Sequence, residues 1–205
     1  MNMLRGAACG LLLVLAGCAA SPPDVRSTVS AFHRISAAET AGKRIAVMPA
    51  APDGLQSLEF QEYREKIKLR FVQRGAAVTD DPAAADWLAL VGTTVAGSPV
   101  QVQEIWVDDF PGRPFGPWGY PPYGGTMVRQ VGGGFVRTLT LEIYDRAALD
   151  SHRPDARLYE GKAVSQGTCA VMAGVFDAMA DALFADWPGP NGRVRTLKVP
   201  QNNPC

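Results

Sequence analysis

Between positions 135 and 143 the chain alternates more cleanly than anywhere else. Phe135, Leu139, Leu141 and Ile143 fall on one side, and Thr138, Thr140 and Glu142 on the other. A period of two marks a β-strand with one face buried and the other in water. It commits the chain to a sheet whose apolar face needs a cover. With 205 residues, 47% of them apolar, there is material for one domain with a real core.

Two helical stretches supply that cover. In residues 55–74, Phe60, Tyr63, Ile67 and Phe71 recur at i, i+3, i+7 and i+11 and share one face. Ser57 is placed to cap the start, Glu62 and Lys66 form an i,i+4 pair, and Gly75 suits the left-handed residue that ends a helix. In residues 170–187, Met172, Val175, Phe176, Met179 and Leu183 make an apolar face, with Asp177 and Asp181 off it. Thr168 is the expected N-cap, and Pro188-Gly189-Pro190 stops the helix. Further strands are read at 43–50, 76–79, 86–96, 157–166 and 193–199, several of them short, and 27–35 is a candidate first strand. The expected class is α/β (α+β): a single mixed or mainly antiparallel sheet of about five or six strands, with two helices mostly on one face.

The stretch 109–125, DFPGRPFGPWGYPPYGG, interrupts this pattern. Its prolines remove backbone donors and favour extended polyproline geometry, so it is neither helix nor central strand. Loops of this length in a compact domain usually carry function or lack order. Trp106, Phe110, Phe115, Trp118, Tyr120 and Tyr123 in and beside it are candidates for stacking on glycan rings or docking on a partner protein. The plainer reading has these rings packing back on a sheet edge.

The N-terminus reads as an address. Arg5 is followed by the apolar run 6–16, too short for a bilayer core that takes ~20 helical residues. The run therefore reads as a signal peptide. It ends Leu15-Ala16-Gly17-Cys18, which resembles the lipobox of bacterial lipoproteins. The resemblance implies removal of residues 1–17, acylation of Cys18 (diacylglyceryl and an amide-linked chain such as palmitate), and a flexible tether over 18–31 ahead of a globular domain, 32–205. Several acyl chains give stable anchoring at ~0.8 kcal/mol per buried CH₂. Ala19, rather than Asp, after the cysteine implies the outer membrane of a Gram-negative envelope, facing the periplasm. Cys9 lies in the signal and Cys18 takes lipid, which leaves Cys169 and Cys205 in an oxidising compartment, where they are expected to form a disulfide.

Several function classes lose ground. Lys plus Arg is 20 and Asp plus Glu is 20, and loss of the signal removes only Arg5, so the basic excess of a nucleic-acid binder is missing. His33 and His152 lack the spacing of a zinc set, and no G-x-S-x-G elbow occurs. Gly132-Gly133-Gly134 precedes a strand and no Lys-Ser/Thr follows, so it is a flexible lead into that strand rather than a phosphate loop. Glu59, Glu62 and Glu65 read as the solvated face of the first helix. No cofactor and no catalytic constellation is expected.

The order of the pieces carries a family resemblance. These are the strand 43–50, Ser57-Leu58-Glu59-Phe60-Gln61-Glu62-Tyr63 opening a helix, and Ala85-Asp86-Trp87 opening a strand. Then follow the Trp/Pro/Gly/Tyr stretch, the strand 137–145, and Leu158-Tyr159-Glu160-Gly161-Lys162-Ala163-Val164-Ser165. Last comes Ala182-Leu183-Phe184-Ala185-Asp186-Trp187-Pro188-Gly189-Pro190-Asn191-Gly192. Over residues 25–200 this resembles the proteobacterial lipoproteins grouped as domain of unknown function 4136. Trp187 departs from the Phe more usual in that family. The resemblance implies an address and a fold, and no reaction. The expected function is a membrane-anchored, non-catalytic binding module whose partner is an envelope protein or cell-wall glycan. The alternatives are a periplasmic small-ligand carrier and a cell-wall-acting enzyme.

Overall fold

The alternating stretch lies in the C-terminal half of a far longer strand. The computed structural model describes residues 23–108 and 125–201. In chain order the elements are β1 (Asp24–His33), α1 (Ala37–Thr40), β2 (Arg44–Pro49), α2 (Leu58–Val72), β3 (Ala77–Thr79) and β4 (Trp87–Asp108). After these come β5 (Gly125–Asp145), α3 (Arg146–Asp150), β6 (Arg157–Gly167), α4 (Phe176–Phe184) and β7 (Val194–Pro200). The described strands form one open sheet in the order β3-β2-β4-β5-β6-β1-β7. β2 runs parallel to β3 and β4, with α2 as the crossover from β2 to β3, and the other pairings are antiparallel. The mixed sheet was expected. Its seven strands exceed the five or six read from sequence, and α1 and α3 are added to the two expected helices. Both extra helices are single turns held by local caps. Ser36 and Glu39 form a capping box, and Asp145 accepts from the Ala148 amide.

α2 follows the sequence closely. Phe60, Tyr63, Ile67 and Phe71 are all buried, Ser57 Oγ accepts from the Phe60 amide, and Gly75 takes φ of 81°. The i,i+4 pairing of Glu62 with Lys66 does not form. Lys66 Nζ reaches Asp177 on α4 at 2.7 Å instead, because a partly buried carboxylate across the helix interface is a better partner than one in water.

α4 is shorter than the 170–187 stretch, and Thr168 does not cap it. Val171 is extended and Met172–Gly174 makes a 3₁₀ turn. Val171, Gly174 and Val175 all lower helix propensity, and the Cys169 carbonyl already accepts from Arg137. The helix also has no wet face of any width. Phe176, Ala178, Met179, Ala180, Ala182, Leu183 and Phe184 are buried, since α4 lies against β1, β6 and β7 and touches α2. The core is therefore a single layer between one face of the sheet and the pair α2/α4. β1 starts at Asp24, inside the stretch read as a tether and eight residues ahead of the expected start of the globular domain at residue 32.

Candidate functional site

β4 and β5 form a hairpin whose far half leaves the sheet. β2 pairs with β4 only from Trp87 to Val91, and β6 pairs with β5 only from Phe135 to Tyr144. After a register shift between Ser98 and Gln101, the two strands continue paired to each other from Gln101↔Gly132 to Asp108↔Gly125. Eight paired positions at ~3.4 Å each make an arm of roughly 27 Å. Among the described strands none pairs with its outer edges. Open edges of this length are templates for adding another strand.

Trp106 lies in β4 near the end of the arm, opposite Met127. Phe110, Phe115, Trp118, Tyr120 and Tyr123 lie outside the described residues, as do Cys18 and Cys205. The glycine lead at 132–134 is part of β5. The arm itself was missed in sequence. Its signal was the scatter of β-branched and aromatic residues at 100–107 and 126–131, on both sides of the Pro/Gly stretch.

At the root of the arm, past the end of β2, lies a groove of about 450 Å³. The start of α2 supplies Ser57, Glu59 and Tyr63, and β4 and β5 supply Thr93, Thr94 and Thr138. Gly92 allows the close approach here: a Cβ on it would stand 2.6 Å from Thr140 Oγ1. Tyr63 donates its hydroxyl to Glu59, and burial together with that carboxylate pushes the phenol above its ordinary range. The groove thus offers hydroxyls and one carboxylate already engaged by a neutral phenol. Such a lining suits hydrogen bonding to a polar ligand or an extended chain.

The remaining singled-out residues have structural surroundings. His33 ends β1, with Nδ1 at 2.8 Å from the Ile35 carbonyl and Nε2 at 3.0 Å from that of Gly189. His152 occupies a left-handed position, φ 54°, in the turn after α3. Glu65 accepts from Lys68, and Glu62 is exposed. Cys169 is buried just after β6, on the segment that approaches the last described residue. Gln201 donates its Nε2 to the Gly174 carbonyl at 2.9 Å. Among the described residues no group of three or more His, Cys, Asp and Glu side chains is arranged to hold a metal ion.

No family model and no curated protein matches the chain. Solved structures are similar to it. One is a PDZ domain protein from Parabacteroides distasonis, at 12% identity and a TM-score of 0.49, over 88% of this chain. This chain spans only 40% of that protein's length. A PelC dodecamer from Paraburkholderia phytofirmans matches at 14% identity and a TM-score of 0.39, over 77% of this chain and 96% of the other. A protein of the domain of unknown function 4136 family from Bacteroides thetaiotaomicron matches at 11% identity and a TM-score of 0.34, over 77% of this chain and 91% of the other.

Proposed function

We propose that the protein is a lipid-anchored envelope lipoprotein that acts as a non-catalytic binding module, with the β4–β5 arm as its binding element. The observation that supports this reading is the arm's isolation. A two-stranded hairpin is marginal in water on its own, because it leaves both edges and both faces without partners. A third strand removes that cost on binding, and the Pro/Gly/aromatic stretch 109–125 of the sequence supplies rings for a partner to dock on. The partner that fits is another envelope protein presenting an extended segment, with cell-wall glycan stacking on the aromatic residues of the 109–125 stretch as the second candidate. The groove of about 450 Å³ at the arm's root favours a second reading, a small-ligand carrier.

A pull-down from envelope membranes tests the arm. The bait is the full lipoprotein, compared with one carrying Trp118→Ala, Tyr120→Ala and Tyr123→Ala. A defined protein or wall fragment held by the first and lost by the second is the expected result. Equal recovery by both moves the search to the groove. Recovery by neither sinks the binding-module reading.

The anchor is part of the same proposal. No helix among the described residues is long and apolar enough to cross a membrane. Lipid on Cys18 would leave six Cα–Cα steps to Asp24, at most ~20 Å, so β1 would begin close to the bilayer surface. The oxidising compartment brings with it the pairing of Cys169 with Cys205. Residue 201 ends beside the 169–174 segment, with four residues left to reach the thiol. One measurement covers both modifications: the intact mass of protein extracted from envelopes, before and after reduction. The expected mass is that of residues 18–205 plus a triacylated Cys18, rising by two hydrogens on reduction. An unmodified full-length mass would overturn the anchor, and a mass unchanged by reduction would overturn the pairing.

A further inference from the structure

Arg137 stands on the apolar side of β5, in line with Leu139, Leu141 and Ile143, yet it is a cation. It is 3% exposed. Nη1 donates to the Cys169 carbonyl at 3.3 Å and Nη2 to Ser165 Oγ at 3.1 Å. Nε is buried with no acceptor. Among the described residues no carboxylate forms an ion pair with it. The other buried arginine, Arg70, has two carboxylates, so this chain does supply counter-ions where a guanidinium serves structure. A buried, hydrogen-bonded but uncompensated guanidinium is costly, and a ligand that brings a negative charge would relieve that cost.

The surroundings are those of a site. Arg137 and Ser165 line a cavity of about 460 Å³ at the open end of the sheet, a volume ordinary for small-ligand pockets. Val175, the N-cap of α4, lines it too, and no side chain caps that helix. Ser27, next to the cavity-lining Arg26 but not itself in the lining, pairs with Ser165 in the ladder and has a buried hydroxyl without a partner. The charged residues of β1 on the rim, Asp24 and Arg26, are exposed and alternate to the other face of the strand from Val25 and Ser27, so neither neutralises the guanidinium. Burial holds the Arg137 guanidinium below its ordinary value, though still far above neutrality.

We infer that this cavity is a binding site for a singly charged oxyanion, held by Arg137 and Ser165 at the N-terminal end of α4. The charge count selects the class. One guanidinium neutralises one negative charge. A phosphate monoester, carrying about −1.5 to −2, would leave most of a charge buried without compensation. A carboxylate or a phosphodiester balances it, and the buried Nε–H beside Nη2 is the edge that takes two oxygens side by side. The site is separate from the arm, so failure of either reading leaves the other standing.

The test uses the full-length protein and follows the Arg137 Nε–H resonance and the thermal midpoint. The probes are sodium acetate and dimethyl phosphate, with sodium chloride at matched ionic strength and inorganic sulfate as controls. Acetate or dimethyl phosphate is expected to shift the resonance saturably and to raise the midpoint, and the tighter of the two names the ligand's head group. Arg137→Lys keeps a charge but loses the fork, and is expected to bind about tenfold more weakly. Arg137→Met is expected to lose the response while folding at least as stably, because it removes an uncompensated buried charge at similar volume. The inference is overturned if neither monoanion shifts the resonance, if chloride or sulfate does the same, or if Arg137→Met responds as the native protein does.

Discussion

Phe184→Ala is expected to lower the free energy of unfolding by about 3–5 kcal/mol, the range for emptying a buried aromatic site. Phe184 closes α4 and is fully buried. Its ring stacks on Trp187 with centroids 4.8 Å apart and meets Phe71 of α2 edge-on at 5.1 Å. The Arg74 guanidinium lies 4.9 Å from the same ring. The void would not collapse easily. Trp187 is fixed by its indole N–H to Thr40 Oγ1 at 3.0 Å, and Arg74 pins the Phe184 carbonyl at 2.6 Å. The cost should thus fall in the upper part of the range rather than be relieved by neighbours moving in. Urea unfolding followed by tryptophan fluorescence reads it. A loss of under about 1 kcal/mol would mean that this end of α4 is not packed as described.

Arg70→Met is expected to cost about 2–3 kcal/mol, less than a wholly buried pair because its acidic partners keep contact with water. The Arg70 side chain is 9% exposed, and the carboxylates of Asp177 and Asp181 are 34% and 48% exposed. Nε donates to Asp181 at 2.9 Å, Nη2 to the Asp177 side chain and backbone, and Nη1 to the Lys66 carbonyl. One side chain thereby ties α2 to two turns of α4. The same tie predicts an acid limb. Burial pushes the Asp177 carboxyl up, but the Lys66 bond and the two cations outweigh it, and its value is lowered overall. A carboxyl with a depressed folded value contributes stability above its unfolded value of about 4, and that stability is lost as pH falls through the folded one. Stability should therefore decline below pH about 4, less steeply in Arg70→Met. An unchanged acid limb and unchanged stability in the variant would sink this account.

These two sites differ in how far the sequence announces them. The Phe60, Tyr63, Ile67, Phe71 stripe of α2 and its Ser57 and Gly75 boundaries are local, and the structure places them as read. So is the alternation at 135–143, whose apolar members are buried or nearly so. α4 was harder to bound. A helix covered on most sides has no wet stripe to give it a period, and its first turn was lost to an extended Val171 and a 3₁₀ turn. The tie from α2 to α4 was not legible at all. Lys66 has an acceptable local partner in Glu62, and only the packed interface offers it a better one in Asp177.

Side-chain periodicity alone determined α2, the 135–143 stretch of β5 and the face that each buries, since that follows from backbone geometry over a few residues. The tertiary structure decided the rest. It inserted β1 between β6 and β7, with Ser27 opposite both Ser165 and Leu197. It carried β4 and β5 beyond the sheet as an arm. It also left Arg137 with no carboxylate among the described residues, while giving Arg70 two. Strand partners and counter-ions come from residues far apart in the chain, and no local pattern records which of them will meet.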